Sequence, residues 1–173
     1  ISRHSDIHEI DAVAWNRLSE PLPTPLLEWE WLARMEESKS VSPQAGWLPC
    51  HLCVWKSSTL VGAAPLYVKG HSAGEFVWDY VWADVASQLN VEYYPKLIGM
   101  SPATPAVGYR FLVAPGEDEA EITRILLETI DLICRENSFS GANFLFVDPE
   151  WQKSIEEYGY IAWAHQSYEW LNH

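Results

Sequence analysis

One stretch leaves the chain little freedom: Glu117 to Asn137 reads only as a long amphipathic helix. Ile122, Ile125, Leu126, Ile130 and Ile133 recur at three- and four-residue spacing, a stripe that must be buried against another layer. Glu117, Asp118, Glu119 and Glu121 crowd its start, where negative charge suits the helix dipole. With 173 residues, 48% of them hydrophobic, the chain can build that layer within one domain.

The layer is a sheet. His51 to Lys56 and Leu60 to Lys69 are predicted strands joined as a hairpin at Ser57-Ser58-Thr59. Upstream, Asp6 to Glu20 reads as one helix, with Asp6 and Glu9 as its start signal and Ile7, Ile10, Ala14 and Leu18 on one face. The Pro21 to Pro25 stretch ends it. A second helix follows, with Pro25 in its first turn and Leu27, Trp31 and Met35 in line. The aromatic-rich region from Gly70 to Gly108 reads as long loops with short strands or helices between them. Beyond it, Arg110 to Val113, Asn143 to Val147 and Tyr160 to Leu171 are predicted strands, and Glu150 to Tyr158 a short helix stopped by Gly159. The expected fold class is α/β (α+β), a mixed, mostly antiparallel sheet flanked by helices.

Three local patterns carry possible chemistry. Gly70-His71-Ser72-Ala73-Gly74 is a G-x-S-x-G sequence, and Asp148 and His165 follow in the chain order of a hydrolase triad. However, only a hairpin and two helices precede Gly70, and Glu75 to Tyr80 alternates like a strand or aromatic loop where a nucleophile elbow needs a helix. A serine hydrolase acting through Ser72 stays open as an alternative. Cys50 and Cys53 form a C-x-x-C, but in a strand residues i and i+3 face opposite ways, about 10 Å apart, which excludes a shared metal or a disulfide. His4 and His8 lie among acids with no third ligand in sight, so a solvated face is expected and no metal site is assigned.

Charge narrows the partners. Eleven Lys and Arg against 24 Asp and Glu give a formal net charge of -13, which disfavours nucleic acid and anionic membrane surfaces for this part of the protein. No apolar run approaches the roughly 20 residues of a membrane span, so no membrane insertion is expected. Three cysteines, one necessarily unpaired, point to a reducing, cytoplasmic setting. Ten Trp and eight Tyr imply a core, a groove or a partner surface rich in rings.

From Trp29 to Arg110 the chain carries a series of rare aromatic and Pro positions. It runs through Trp29-Glu30-Trp31-Leu32, Glu36-Glu37-Ser38 and Gly46-Trp47-Leu48-Pro49, then Val61 to Lys69 and His71 to Asp79. Trp82-Ala83-Asp84, Tyr93-Tyr94-Pro95-Lys96-Leu97 and Pro102-Ala103-Thr104-Pro105, with Gly108 and Arg110, complete it. This series resembles the FemAB-like predicted N-acyltransferases, described as peptidoglycan biosynthesis or recognition proteins, and the helix and strand order resembles the GNAT (acyl-CoA N-acyltransferase) layout.

The resemblance implies one GNAT-like lobe over residues 1–173, the N-terminal half of a two-lobed protein. It implies acyl or aminoacyl transfer to an amine, on a small molecule or a peptidoglycan precursor, with the second lobe as partner. In its terms the candidate substrate-groove residues are Lys69, His71, Ser72, Glu75, Asp79, Asp84, Tyr93, Tyr94, Lys96 and Arg110, and no catalytic residue is assigned. Acyl-coenzyme A or aminoacyl-tRNA would be the donor for the full-length protein. Active GNAT enzymes carry a Q/R-x-x-G-x-G/A loop before the long helix. Here that turn is Ala114-Pro115-Gly116-Glu117-Asp118-Glu119, so no cofactor is expected on this lobe. A non-catalytic module that binds a cell-wall precursor or glycan is the other alternative.

Overall fold

The computed structural model describes residues 1–164, and the fold is organised by a hairpin that serves two sheets. Strand β3 (His51–Lys56) pairs antiparallel with β4 (Thr59–Ala64), and β1 (Ser2–His4) and β7 (Leu112–Val113) flank them in the order β1-β3-β4-β7. The second sheet runs β2-β5-β6-β8, from β2 (Leu48–Pro49), β5 (Tyr67–Lys69), β6 (Lys96–Gly99) and β8 (Ala142–Phe144). All pairings are antiparallel except β6 with β8. The mixed, mostly antiparallel sheet flanked by helices is therefore as expected.

The stretch from Leu60 to Lys69 is two strands instead of one, because Pro65 has no N–H to continue the ladder. Side chains close the gap. Tyr109 Oη donates to the Pro65 carbonyl (2.9 Å), and Leu66 N–H donates to His51 Nδ1 (3.3 Å). His51 Nε2 then carries the ring hydrogen and donates to Glu36 Oε1 at 3.1 Å. Cys50 N–H still reaches the Leu66 carbonyl (2.8 Å), so the hairpin bends from one sheet into the other without coming apart.

The first helix also divides. Asp6 accepts from His8 N–H and caps a single 3₁₀ turn, Ile7–Glu9, and Asp11 accepts from Ala14 N–H to start α1 (Ala12–Ser19). The extended Ile10 between them lets Ile7 and Ile10 both enter the core. Pro25 lies in a second 3₁₀ turn, Pro25–Leu27, ahead of α2 (Trp29–Glu37).

The long helix α4 (Glu119–Glu136) buries Ile122, Leu126, Ile130 and Ile133, with Ile125 half-buried. It lies so close to β4 that a Cβ on Gly62 would come within 2.4 Å of the Ile122 side chain, so only glycine fits there. β8 is shorter than the strand predicted over Asn143 to Val147 and only partly buried, and it forms the edge of its sheet. α5 (Pro149–Glu156) is capped by Asp148, and Gly159 follows with φ +88°. No strand forms over residues 160–164, and the rest of the predicted final strand lies outside the described residues. No helix among the described residues is long and apolar enough to cross a membrane. All three cysteines are buried and free, and burial pushes the Cys53 thiol up to about 12.

Candidate functional site

Between β5 and β6 the chain makes a long excursion whose middle forms α3 (Tyr80–Gln88). Its first turn is set by Gly74. Glu75 N–H bonds the Ser72 carbonyl (3.2 Å), and Gly74 sits at the third turn position with φ +82°, where a side chain would be strained. The G-x-S-x-G sequence is thus a β-turn rather than a strand-to-helix elbow.

That turn delivers a buried cluster of charge. Lys96 Nζ lies 2.7 Å from Asp79 Oδ2, 3.0 Å from Glu75 Oε2 and 2.9 Å from Ser72 Oγ. Tyr93 Oη donates to Asp79 Oδ2 at 3.0 Å, and the Tyr93 and Tyr94 rings stand 5.1 and 5.3 Å from the Lys96 ammonium. Ser72 Oγ donates to Asp79 Oδ2 (2.7 Å) and accepts from Lys96 and Tyr94 Oη (2.7 Å). Its one hydrogen and both lone pairs are spent. Asp148 is committed to capping α5 through the amides of Glu150 and Trp151, and His165 lies outside the described residues.

Lys69 Nζ donates to the Ala73 carbonyl at 2.8 Å and lies 3.7 Å from the Trp47 ring centroid, a cation–π contact. Burial, with the like charge of Lys96, brings its pKa down to about 8 against the opposing pull of Glu75. Burial also raises the Glu75 carboxyl, against Lys96. Burial acts the same way on Asp79, but hydrogen bonds from Lys96 and Ser72 outweigh it and hold that carboxyl below its usual range. Glu75 Oε1 and Asp79 Oδ1 are buried and accept no hydrogen bond from the described residues.

Seven of the ten candidate groove residues therefore gather: Lys69, Ser72, Glu75, Asp79, Tyr93, Tyr94 and Lys96. His71 borders them, exposed, its ring against Gly46 and its Nδ1 accepting from Ala73 N–H at 3.2 Å. Two belong elsewhere. Asp84 is exposed on α3 and accepts from Gln88, and Arg110 pairs with Glu119 at the start of α4. The physical reason is direction: Asp84 points from a helix with no buried residue, and Arg110 precedes β7 on the other sheet. Trp47 was missed as a member; the only sequence sign was its place in Gly46-Trp47-Leu48-Pro49.

The same excursion is inside out. Glu75 and Asp79 are 1% and 6% exposed, whereas Phe76, Trp78, Tyr80 and Trp82 are 52–75% exposed. α3 buries none of its residues.

Around the start of α4 lies a cleft of about 340 Å³ lined by Leu22, Arg110, Phe111, Pro115, Glu117 and Glu119 among others. In the GNAT layout that the helix and strand order resembles, this helix start would cradle a coenzyme A diphosphate. Asp118 Oδ1 already accepts from the amides of Ala120 (3.0 Å) and Glu121 (3.2 Å), and the residues present do not fit a diphosphate.

Comparison with known proteins accords with the architecture. A family profile described as "peptidoglycan biosynthesis/recognition", FemAB-like, matches residues 6–173. A crystal structure of a probable acetyltransferase superposes with a TM-score of 0.56 at 15% identity, covering 100% of this chain and 99% of that one. The aminoglycoside antibiotic 6'-N-acetyltransferase AAC(6')-Ig from Acinetobacter haemolyticus, without ligand, superposes with a TM-score of 0.56 at 9% identity, over 99% of this chain and 97% of that one. No curated protein matches. At such identities the solved structures speak for the fold alone, while the profile spans nearly the whole chain: this protein belongs to the FemAB-like family and has the GNAT acyltransferase fold.

Proposed function

We propose that the chain is the N-terminal lobe of an N-acyltransferase that passes an acyl or aminoacyl group to an amine, and that the excursion from Lys69 to Lys96 forms part of its acceptor groove. The observation that carries this reading is the buried cluster of Lys69, Ser72, Glu75, Asp79 and Lys96. Charges taken this far from water are costly unless paired, and such clusters with displaced pKa values concentrate at functional sites. The family description supports a peptidoglycan precursor as acceptor. A second lobe would complete the groove. With a net charge of -13 on this chain, an aminoacyl-tRNA donor would be held by that lobe.

The test is titration of the isotope-labelled chain with a muramyl-pentapeptide precursor. Amide shifts should concentrate on residues 69–96 and weaken strongly in Asp79→Asn. Shifts confined to other surfaces, or none at all, would refute the groove.

The exposed Trp78, Tyr80 and Trp82 favour a second reading, a module that binds a glycan without turning it over, since sugars stack on open aromatic faces. Saccharide fragments should then quench Trp fluorescence. Loss of that quenching in Trp78→Ser is required by the glycan reading and not by the transferase reading.

A further inference from the structure

The cleft before α4 sits where a GNAT fold would hold the diphosphate of an acyl-coenzyme A. Diphosphate binding at a helix start needs free amide hydrogens and a positive local field. This helix start is poor in both. Two of its first-turn amides donate to Asp118 Oδ1, so a carboxylate of the chain already takes the position of the anion. Glu117, Asp118, Glu119 and Glu121 place four negative charges within five residues. The nearby cations each face a carboxylate of the chain: Arg110 pairs with Glu119, and Lys56 Nζ lies 3.3 Å from Glu117 Oε2. Pro115 and Gly116 complete the tight turn, and Glu117 N–H closes it on the Ala114 carbonyl.

The remaining lining is largely apolar, with Leu18, Leu22, Phe111, Val113 and Ala114. A phosphorylated ligand would therefore meet like charge at the rim and no free cation among the lining residues. An uncharged or cationic one would meet no such barrier.

We infer that the α4 cleft does not bind acyl-coenzyme A and excludes phosphorylated ligands as a class, admitting uncharged or cationic groups instead. The activated acyl group must then reach this protein with its phosphate-bearing part held away from α4. The inference stands apart from the acceptor-groove reading, because its residues and its ligand are different.

Titration of the labelled chain with acetyl-coenzyme A and, separately, inorganic pyrophosphate tests it, following the amides of Gly116, Ala120 and Glu121. With the wild-type chain, no saturable shift of these amides is expected up to about 1 mM ligand. The variant Glu117→Gln/Asp118→Gly/Glu119→Gln frees the amides and removes three charges while keeping a tolerated cap residue, and it should bind pyrophosphate about tenfold more tightly or better. Glu117→Gln/Glu119→Gln, which retains the Asp118 cap, serves if the triple variant fails to fold, and should move affinity in the same direction. Saturable binding of acetyl-coenzyme A to the wild-type chain with shifts at these amides would overturn the inference. So would a folded variant that binds pyrophosphate no better than wild type. Wild-type shifts confined to other residues would support it, since the ligand would then have passed over the helix start.

Discussion

The two sheets of this protein each carry an apolar cluster, but the segments packed beside them bury opposite kinds of side chain. Around β3 and β4, helices α1 and α4 bury aliphatic and aromatic side chains, such as Trp15, Leu18, Ile122 and Leu126. Around β5 and β6, the excursion turns its carboxylates inward onto Lys96 and its rings outward to solvent. The first arrangement is what the hydrophobic effect produces without help. The second departs from it, and a polypeptide keeps such a segment where the charge or the exposed rings have work to do. The difference separates a conventional core from the candidate site within one small chain.

Removing the charge from the second region should be as damaging as cutting into the first. Lys96→Met leaves Glu75 and Asp79 buried without their cation, and a loss of about 3–5 kcal/mol is expected in urea unfolding. Restoring neutrality in Lys96→Met/Glu75→Gln/Asp79→Asn should recover much of that loss. If the single and triple variants are equally unstable, packing rather than charge governs the cluster.

In the aliphatic half, Leu126→Ala should cost about 2–5 kcal/mol, since the side chain is fully buried against the sheet. The two kinds of damage should differ in pH dependence. The Leu126→Ala penalty should stay constant from pH 5 to 8, while that of Lys96→Met should shrink as its orphaned carboxylates are protonated at lower pH.

Acid provides a smaller test. The Asp79 carboxyl titrates below its ordinary value of 3.8 in the folded protein, so its stabilising contribution is present above that value and is lost as pH falls through the folded pKa. Glu75 works in the opposite sense. Its folded pKa is raised, so over the interval above 4.5 the folded state holds the extra proton and stability declines as pH rises. Asp79→Asn should therefore flatten the low-pH limb of a melting-temperature profile, and Glu75→Gln the limb just above it. Unchanged limbs in both variants would mean that neither carboxyl is coupled to folding.

The smallest effect belongs to the outward rings. Trp78→Ser should change stability by no more than about 0.5 kcal/mol, because the ring is 75% exposed. A larger loss in thermal unfolding would show that the ring packs in the free protein, and the contrast between the two regions would narrow.

Much of the first region was legible in the chain. Ile122, Leu126, Ile130 and Ile133 announce their helix by spacing alone, and β3 forms over the predicted His51 to Lys56. The breaks at Ile10 and Pro65 were not, because each depends on a distant partner. Ile10 is extended so that it can reach the core, and the Pro65 gap is closed by Tyr109 and His51. In the second region the residues of the cluster could be named, but their neighbours could not. Nothing local to Arg110 or Asp84 marks them as standing apart, and nothing local to Trp47 places its ring beneath Lys69.

The sequence by itself determined the long helix, the β3–β4 hairpin, the family and the acidic start of α4, because spacing, rare residues and adjacent charges are properties of neighbours along the chain. Only the tertiary structure decided which side chains of Glu75 to Asp79 are buried. An alternating stretch can turn either set inward, and here the carboxylates were drawn in by Lys96, supplied from β6.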